Sequence, residues 1–265
     1  MYKCHDGLDR KGFVAIRNRL ANLSYDVVLF ISDTLVMVSI KSVIKRFRFP
    51  LEIMLVCVRW YVAYPLSLRH LEEMMQERDV LVDHSTVQRW AMKLLPVLEA
   101  VFRKRKRPVG KSWRFDETYC RVNGEWKYLY RAVDKEGNTI DFLLTAKRDR
   151  KAARRFLDKA IGQNGLPETI TIDKSAANNA AIEDYNVEQE TSIQIRQVKY
   201  LNNIVEQGHR AVKRITRPML GFKSFRTARV ILTGIELVHM IRKGQLRTVG
   251  RTTPSFAQQF YSLAA

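Results

Sequence analysis

Cysteine is scarce in this sequence, which has three in 265 residues, at Cys4, Cys57 and Cys120. A disulfide framework requires cysteines in even numbers at short spacings, and a structural zinc site requires ligands in close pairs. Neither pattern is present, so neither kind of cross-link organises the fold. Scattered single cysteines are typical of proteins in a reducing compartment, and we predict a cytoplasmic location.

Long hydrophobic runs are also missing. The longest apolar stretch lies between Val27 and Ile40, and Asp33 interrupts it. A membrane-spanning helix needs about 20 predominantly apolar residues, and this stretch also lacks the small-residue cleavage site of a signal peptide. We therefore expect no membrane partner.

Acidic residues are few relative to basic ones. Asp and Glu together number 27 against 46 Lys and Arg, which gives a formal net charge of +19 and an isoelectric point near 10.1. Such an excess repels itself unless an anion neutralises it, and nucleic acid is the commonest anion of that kind. A basic soluble protein without such a partner stays open as the alternative.

The first hundred residues divide into two parts. Residues 1–44 carry no sustained period of 3.6 or 2, and we predict an atypical, poorly ordered N-terminal extension. Residues 45–100 repeat apolar side chains at three- and four-residue steps, with helix caps at Ser67 and at Asp83 or Ser85. Short helices joined by a tight turn predict a helix-turn-helix DNA-binding domain. Its groove-facing residues would be His84, Ser85, Thr86, Gln88 and Arg89. A plain three-helix bundle is the alternative.

A run of five basic residues follows, inside a segment that we predict to be a linker over residues 101–112. Like charges in series are typically solvated and extended, and they can lie along a phosphate backbone. The predicted DNA contacts in this run are Arg103, Lys104, Arg105, Lys106 and Arg107.

Residues 113–217 have an α/β pattern. Three alternating segments are separated by Asn123-Gly124, a strong hairpin signal, and by a turn at residues 136–138. A helix, a strand, a helix, a strand and a helix come next. This order predicts a ribonuclease H-like mixed sheet, with three antiparallel strands followed by two parallel strands and flanked by helices. Residues 218–265 would form a long C-terminal helix and a tail.

Three acidic residues fall on different elements of this predicted core. Asp116 lies in the first strand, Asp173 ends the fourth, and Glu206 lies in the helix after the fifth. Carboxylates from separate elements can surround two Mg²⁺ ions for phosphoryl transfer. Glu117 competes with Asp116, but neighbouring strand residues face opposite ways, so one of the two faces the site. Each acid also has an ordinary structural explanation, as a turn residue or as the partner of a nearby cation.

The helix that carries Glu206 has two different faces. We predict that its apolar face packs on the sheet and consists of Ile204, Val205, Ala211, Val212 and Ile215. The polar side would present Glu206 to the metals and Lys213 to a phosphate, and we place on it Glu206, His209, Arg210 and Lys213.

Several long stretches resemble the DDE transposases of bacterial insertion sequences, specifically insertion-sequence family six. They are DVLVDHSTVQRW, DETYCRVNGEWKYLYRAVD, TIDKSAANNAA, KYLNNIVEQGHRAVKRITRPMLGFKSF and GIELVHMIRKGQ, within about residues 47–246. The resemblance implies that Asp116, Asp173 and Glu206 are catalytic and hold two Mg²⁺ ions, replaceable by Mn²⁺. It implies cleavage at terminal inverted repeats of double-stranded DNA and joining of the 3′-OH to target DNA. It also implies a homodimer or larger oligomer associated with the bacterial nucleoid.

Two features depart from the family pattern. The 32 residues between Asp173 and Glu206 are slightly fewer than is usual, and Gly208 stands where many relatives have Asp. A catalytically decayed copy is therefore one alternative to an active enzyme. A sequence-specific DNA-binding regulator and a ribonuclease H-like nuclease without strand transfer are two others. Loss of function on neutralising any of the three acids would separate the enzymes from the regulator.

Overall fold

A computed structural model describes residues 45, 47–173, 175–198, 203–248 and 254–265. The predicted extension over residues 1–44 lies outside these ranges. In the described ranges, none of the helices has the length and apolar character that crossing a membrane requires. The helices are α1 (Leu51–Ala63), α2 (Leu68–Gln76), α3 (His84–Arg105), α4 (Arg150–Asn164), α5 (Ala176–Glu188), α6 (Asn203–Thr216), α7 (Phe225–Arg242) and α8 (Phe256–Tyr261). The strands are β1 (Ser112–Val122), β2 (Glu125–Asp134), β3 (Thr139–Thr145), β4 (Thr169–Ile172) and β5 (Gln194–Gln197).

The five strands form one mixed sheet in the order β3-β2-β1-β4-β5. β1, β2 and β3 pair antiparallel, whereas β4 pairs parallel with both β1 and β5. The tight turn between β1 and β2 has positive φ at Asn123 and Gly124, as the hairpin signal predicts. This is the predicted ribonuclease H-like sheet, three antiparallel strands followed by two parallel ones, and the fold-class prediction is confirmed.

The two faces of the sheet are covered by different helices. Alternate residues of each strand point to opposite faces. On one face, α4 and α5 close an apolar core that includes Trp113, Phe115, Tyr130, Ile170, Ile172, Phe156 and Ile182. On the other face, α6 and α7 pack against β1, β2 and β3. Asp116 and Asp173, two of the three predicted catalytic acids, lie on this second face.

The N-terminal helices do not form a core of their own. Side chains of α1, α2 and α3 share one buried cluster with α7, α8 and the second face of the sheet. Gly234 of α7 shows how closely they pack, because a Cβ there would overlap Leu95 and Val62. Residues 45–100 and 218–265, which the sequence pattern divides into separate regions, therefore contribute to one shared core.

The basic run after residue 102 is not an extended linker. Arg103, Lys104 and Arg105 form the last turn of α3, which continues further than the sequence pattern indicated. Arg103 pairs with Glu99 and with Asp141 of β3. The Lys106 ammonium donates to the Ile140 carbonyl and the Asn164 side chain, and Arg105 donates to the Ser262 carbonyl. Internal acceptors bind these cations, so the run joins α3 to the sheet.

Candidate active site

Strand pairing brings Asp116 and Asp173 to the same level of the sheet. Arg114 pairs with Thr171 across the parallel β1–β4 ladder, and these two residues are 57 positions apart in the sequence. Asp116 and Asp173 are also 57 positions apart, so they continue the same register. Adjacent strands lie about 4.8 Å apart. Because side chains alternate between the two faces along a strand, both acids lie on the face that α6 covers. Two carboxylates from distant parts of the sequence therefore meet where β4 ends.

Glu206 reaches this face from the first turn of α6. The helix lies across β1 and β2 and buries Val205, Val212 and Ile215 against the sheet. The Glu206 side chain is 51% exposed, with one carboxylate oxygen 3.8 Å from the Arg210 guanidinium. Its charge is close enough to Asp116 to raise that residue's pKa. The three predicted acids therefore share one region, with Asp116 partly buried and Glu206 open to solvent.

The electrostatics centre on Asp116, whose side chain is 16% exposed. Its pKa is raised from 3.8 to about 7, first by burial and then by the negative charges of Glu117, Asp173 and Glu206. One Asp116 oxygen accepts a hydrogen bond from the Glu117 backbone N–H at 2.9 Å, and one Asp173 oxygen accepts from the Ser175 N–H at 3.0 Å. Neither bond supplies the positive charge that converging carboxylates need.

Glu117 belongs to the opposite face of the sheet. Its carboxylate accepts a hydrogen bond from the Asn178 side chain of α5 at 2.9 Å and pairs with Arg148, and it is only 5% exposed. Arg148 neutralises the Glu117 carboxylate there and Asn178 donates a hydrogen bond to it, so Glu117 has a structural role. Asp116 is the one of the two that faces α6, as the strand alternation predicted.

The nearest cationic candidates do not neutralise Asp116. His209 Nδ1 lies 3.8 Å from an Asp116 oxygen, but burial, together with Arg131 and Lys213, lowers the pKa of His209 to about 3. The imidazole is therefore neutral at physiological pH. Arg131, which faces Asp116 across the β1–β2 ladder, is held by Glu236 instead. Uncompensated carboxylates with oxygen donors suit hard divalent cations such as Mg²⁺.

The three acids do not form one compact group of ligands. Among the residues that the structure describes, the group of three potential ligands lying wholly within 4.8 Å of one another is Glu72, Asp83 and His84. Asp116, Asp173 and Glu206 do not meet that limit. Two cations about 3.5–4 Å apart require ligands that are spread more widely.

Three buried residues behind the acids were not identified as a group from the sequence. Arg131 of β2 pairs with Glu236 of α7 at 2.6 Å, both side chains being fully buried, and Arg131 also donates to the Val205 carbonyl at 3.4 Å. His209 was predicted on the polar side of α6, and that prediction is wrong, because the helix buries it against β1. A charged residue in an apolar, inward-facing position of a strand or helix, as at Arg131 and Glu236, is the signal that indicates such a pair.

The predicted DNA contacts on α6 remain accessible. Lys213 is exposed and lies 4.6 Å above the Tyr119 ring, whereas Arg210 is paired with Glu206. Of the five basic residues after position 102, Lys104 and Arg107 are exposed, and the other three are partly buried against internal partners.

The predicted reader helix begins at an accessible surface. Asp83 caps α3 by accepting from the Ser85 N–H at 2.8 Å, and His84 Nδ1 contacts the Glu72 carboxylate of α2 at 3.0 Å. Val87 and Trp90 point into the core. The five predicted groove-facing residues, His84, Ser85, Thr86, Gln88 and Arg89, are all partly or fully exposed.

Comparison with known proteins gives consistent results. A family model described as a DDE domain matches residues 110–245. A transposase for an insertion sequence-like element IS431mec from Staphylococcus aureus is 36% identical over 207 residues, which cover 76% of this chain and 89% of the relative. A transposase for insertion sequence element IS257 in transposon Tn4003, from the same species, is 35% identical over the same shares. The matched region contains all three acids.

Solved structures overlap parts of the chain more distantly. The HTLV-2 integrase catalytic core domain in complex with magnesium has 15% identity and a TM-score of 0.39, covering 49% of this chain and 86% of that one. A simian T-cell lymphotropic virus intasome, in complex with a PP2A regulatory subunit, has 14% identity and a TM-score of 0.41, covering 59% and 56%.

Proposed function

This chain belongs to the DDE-domain family of insertion-sequence transposases, and on that premise we propose that Asp116, Asp173 and Glu206 are the residues with which it cuts and joins DNA. The observation that carries this proposal is the in-register placement of Asp116 and Asp173 beneath the first turn of α6. No protein cation among the described residues neutralises Asp116. The DNA would be cleaved at the terminal inverted repeats, and the freed 3′-OH would be joined to target DNA.

The three acids would hold two Mg²⁺ ions, with Mn²⁺ able to replace them. Ions held there would supply activation of the attacking water or 3′-OH and stabilisation of the leaving 3′-oxygen in an in-line displacement. Asp116, which is less exposed than Glu206, is fixed by β1 and by the hydrogen bond from the Glu117 backbone N–H. Neutral His209 fills the space behind Asp116 without competing for its charge. Exposed Glu206 marks the side from which the scissile phosphate would approach.

Basic side chains would hold the DNA around this centre. Arg210 and Lys213 lie about one and two turns along α6 from Glu206, on its exposed side, where they can contact phosphates. The start of α3 would read the inverted repeat in the major groove through His84, Ser85, Thr86, Gln88 and Arg89. Lys104 and Arg107 would contact the phosphate backbone of the DNA. Joining two element ends requires two active sites, so we expect a homodimer or larger oligomer. Because its substrate would be chromosomal DNA, we expect the protein to be associated with the bacterial nucleoid in the cytoplasm.

The test is cleavage and joining of labelled inverted-repeat ends in Mg²⁺. Asp116→Asn, Asp173→Asn and Glu206→Gln should each lower both reactions by about 10³-fold or more, because each removes a ligand that acts in the transition state. DNA affinity should stay near that of the wild type. Chelation with EDTA should stop the wild-type reaction, and Mn²⁺ should restore it.

Glu117→Gln is the matched control for Asp116→Asn. It changes the adjacent acid in the same strand, which lies on the opposite face of the sheet, and it should leave cleavage close to wild type. Activity that survives all three active-site substitutions would show that the acids are dispensable, as in a DNA-binding regulator. Cleavage without any joined product would identify a nuclease instead.

A further inference from the structure

Leu220 is exposed in a way that the fold does not require. Its side chain is 93% exposed, more than any other large hydrophobic side chain in the described ranges. It follows the short 3₁₀ helix Arg217–Met219 at the end of α6, with φ at +54°. Residues with a branched apolar side chain avoid this left-handed region, because their Cβ crowds the backbone. The backbone here is strained, and the strain presents an apolar side chain to solvent.

The loop around Leu220 is fixed to the strand that bears Asp116. The Phe222 N–H donates to the Arg121 carbonyl of β1 at 3.0 Å, and the Asn123 N–H donates to the Phe222 carbonyl at 2.7 Å. The Phe222 side chain is buried in the core. Gly221 passes so close to the Arg121 carbonyl that a Cβ would lie 3.3 Å from that oxygen. Leu220 is therefore held outward by its neighbours on both sides.

The surface around Leu220 is strongly basic. No acidic residue occurs in the sequence between Glu206 and Glu236. The exposed cations of this stretch are Lys213, Arg214, Arg217, Lys223, Arg226 and Arg229. None of these six is within ion-pair distance of a described carboxylate. A single exposed apolar side chain within a stretch of exposed cations without ion-pair partners does not resemble a protein interface, whose centre is depleted of charge. It matches a DNA backbone that flanks stacked bases.

We propose that Leu220 is a wedge that enters the base stack of the duplex bound at the active site. The proposal rests on the proposed function and adds to it how the protein deforms its substrate. Apolar side chains inserted between base steps unstack and kink DNA, while neighbouring cations hold the phosphates. Leu220 follows Glu206 by 14 residues, and at a helical rise of about 1.5 Å per residue the two lie about 20 Å apart, or about six base steps of about 3.4 Å each. The opened step should therefore fall about that far from the cleaved phosphate.

Leu220→Gly is the decisive variant, because glycine suits a positive φ. The fold should be as stable as the wild type or more stable, so lost activity cannot be ascribed to unfolding. Leu220→Met is the control that keeps an apolar side chain. Duplex inverted-repeat ends carry 2-aminopurine at each position in turn over the eight base pairs nearest the cut, a span set by the helix geometry above. Binding is measured without divalent metal.

Wild-type protein and Leu220→Met should raise 2-aminopurine fluorescence at one step, and Leu220→Gly should not. In Mg²⁺, Leu220→Gly should cleave fully paired ends more slowly by about tenfold or more, because the unstacking is no longer assisted. A mismatch placed at that same step should restore cleavage by Leu220→Gly, since the step is then already open.

The wedge is wrong if no position responds to the wild-type protein, or if the mismatch fails to rescue Leu220→Gly. It is also wrong if Leu220→Gly changes the oligomeric mass instead of the fluorescence, which would make Leu220 a contact between subunits. Unaltered cleavage by Leu220→Gly would remove the wedge and leave the transposase site intact. A persistent fluorescence response with cleavage that survives Asp116→Asn would remove the catalytic assignment and leave the wedge.

Discussion

The two faces of the central sheet are built from different chemistry. The face under α4 and α5 has an apolar centre, with Phe115 and Phe156 rings 4.9 Å apart, and its charged residues, such as Glu117, are paired at the edges of that centre. The face under α6 and α7 buries charged and polar side chains next to the predicted catalytic acids. These are Arg114, Thr118, Arg131, Thr171, His209 and Glu236. The same strands supply both faces, because their residues alternate.

This difference separates stability from chemistry. Burial of apolar side chains stabilises a fold, whereas a buried polar group costs free energy unless it is paired. Among the described residues, His209 Nε2 and Arg114 Nε are buried without a hydrogen-bond partner. This polar face under α6 and α7 therefore carries a cost in folding free energy at these two groups. Its retention beside Asp116 and Glu206 is explained if these groups hold the active site in position.

The largest expected effect on stability concerns the buried ion pair. Arg131→Met leaves the Glu236 carboxylate fully buried without its partner, which should destabilise the protein by about 3–5 kcal/mol. That is a large share of the free energy of unfolding of a typical domain. Urea unfolding monitored by circular dichroism measures the change. A loss below about 1 kcal/mol would mean that the pair is not as isolated from water as the structure shows.

The double variant Arg131→Met, Glu236→Met tests whether the pair serves stability or position. Two apolar side chains of similar volume should recover most of the lost stability. Cleavage should stay lower by about tenfold or more, because the Val205 carbonyl in the first turn of α6 has lost its donor beside Glu206. Recovery of both stability and cleavage would show that the polar face has only a packing role.

The next effect concerns Asp116 in the metal-free protein. Burial, together with the nearby carboxylates, raises the pKa of Asp116 from 3.8 to about 7. Because the folded-state pKa lies above the unfolded one, the contribution of Asp116 to stability is full below about pH 4 and is lost as the pH rises through 7. Asp116→Asn stays neutral, so at pH 8 in EDTA it should be more stable than the wild type by as much as about 4 kcal/mol. Thermal unfolding at pH 4, 6 and 8 measures this.

Magnesium provides the control for this prediction. Added Mg²⁺ should stabilise the wild type through the charged carboxylate and should have little effect on Asp116→Asn, which reverses their order. A variant that is less stable than the wild type at pH 8 in EDTA would contradict the electrostatic description of the site.

Much of this site could be predicted because it depends on local patterns. Strand alternation placed Asp116 and Glu117 on opposite faces, and the order of strands and helices indicated the sheet in which Asp116 and Asp173 become neighbours. The apolar positions of α6 predicted which side packs, and Val205, Val212 and Ile215 are buried. Periodicity in a sequence is sufficient for such features, since each follows from backbone geometry within one element.

What could not be predicted depends on partners that are distant in sequence. Arg131 and Glu236 are 105 residues apart, and neither residue alone indicates the other. The basic run appeared to be a solvated linker because its acceptors, among them Asp141 and Ile140, come from β3. His209 appeared polar from its position on α6, and its burial results from how the helix is rotated on the sheet. Tertiary packing determined each of these.

Gly208 provides the smallest and most specific test of the polar face. It lies in the middle of α6, where glycine weakens a helix by about 1 kcal/mol relative to alanine. A Cβ at this position would overlap the Arg131 guanidinium, which is fully buried and held by Glu236, so it cannot move aside freely. Gly208→Ala should therefore destabilise the wild type, by about 1–3 kcal/mol.

The sign of that change should reverse when the guanidinium is absent. In the Arg131→Met, Glu236→Met background, Gly208→Ala should stabilise the protein by about 1 kcal/mol, because only the helix preference remains. A double-mutant cycle of unfolding free energies measures the coupling. If Gly208→Ala changes stability with opposite signs in the two backgrounds, the buried pair requires glycine at this position. The reason would be that any side chain at position 208 must share space with Arg131, which would explain why this chain lacks the family's Asp. Equal signs would show that the helix can shift to admit a side chain, and the departure would then have no cause in the packing of this face.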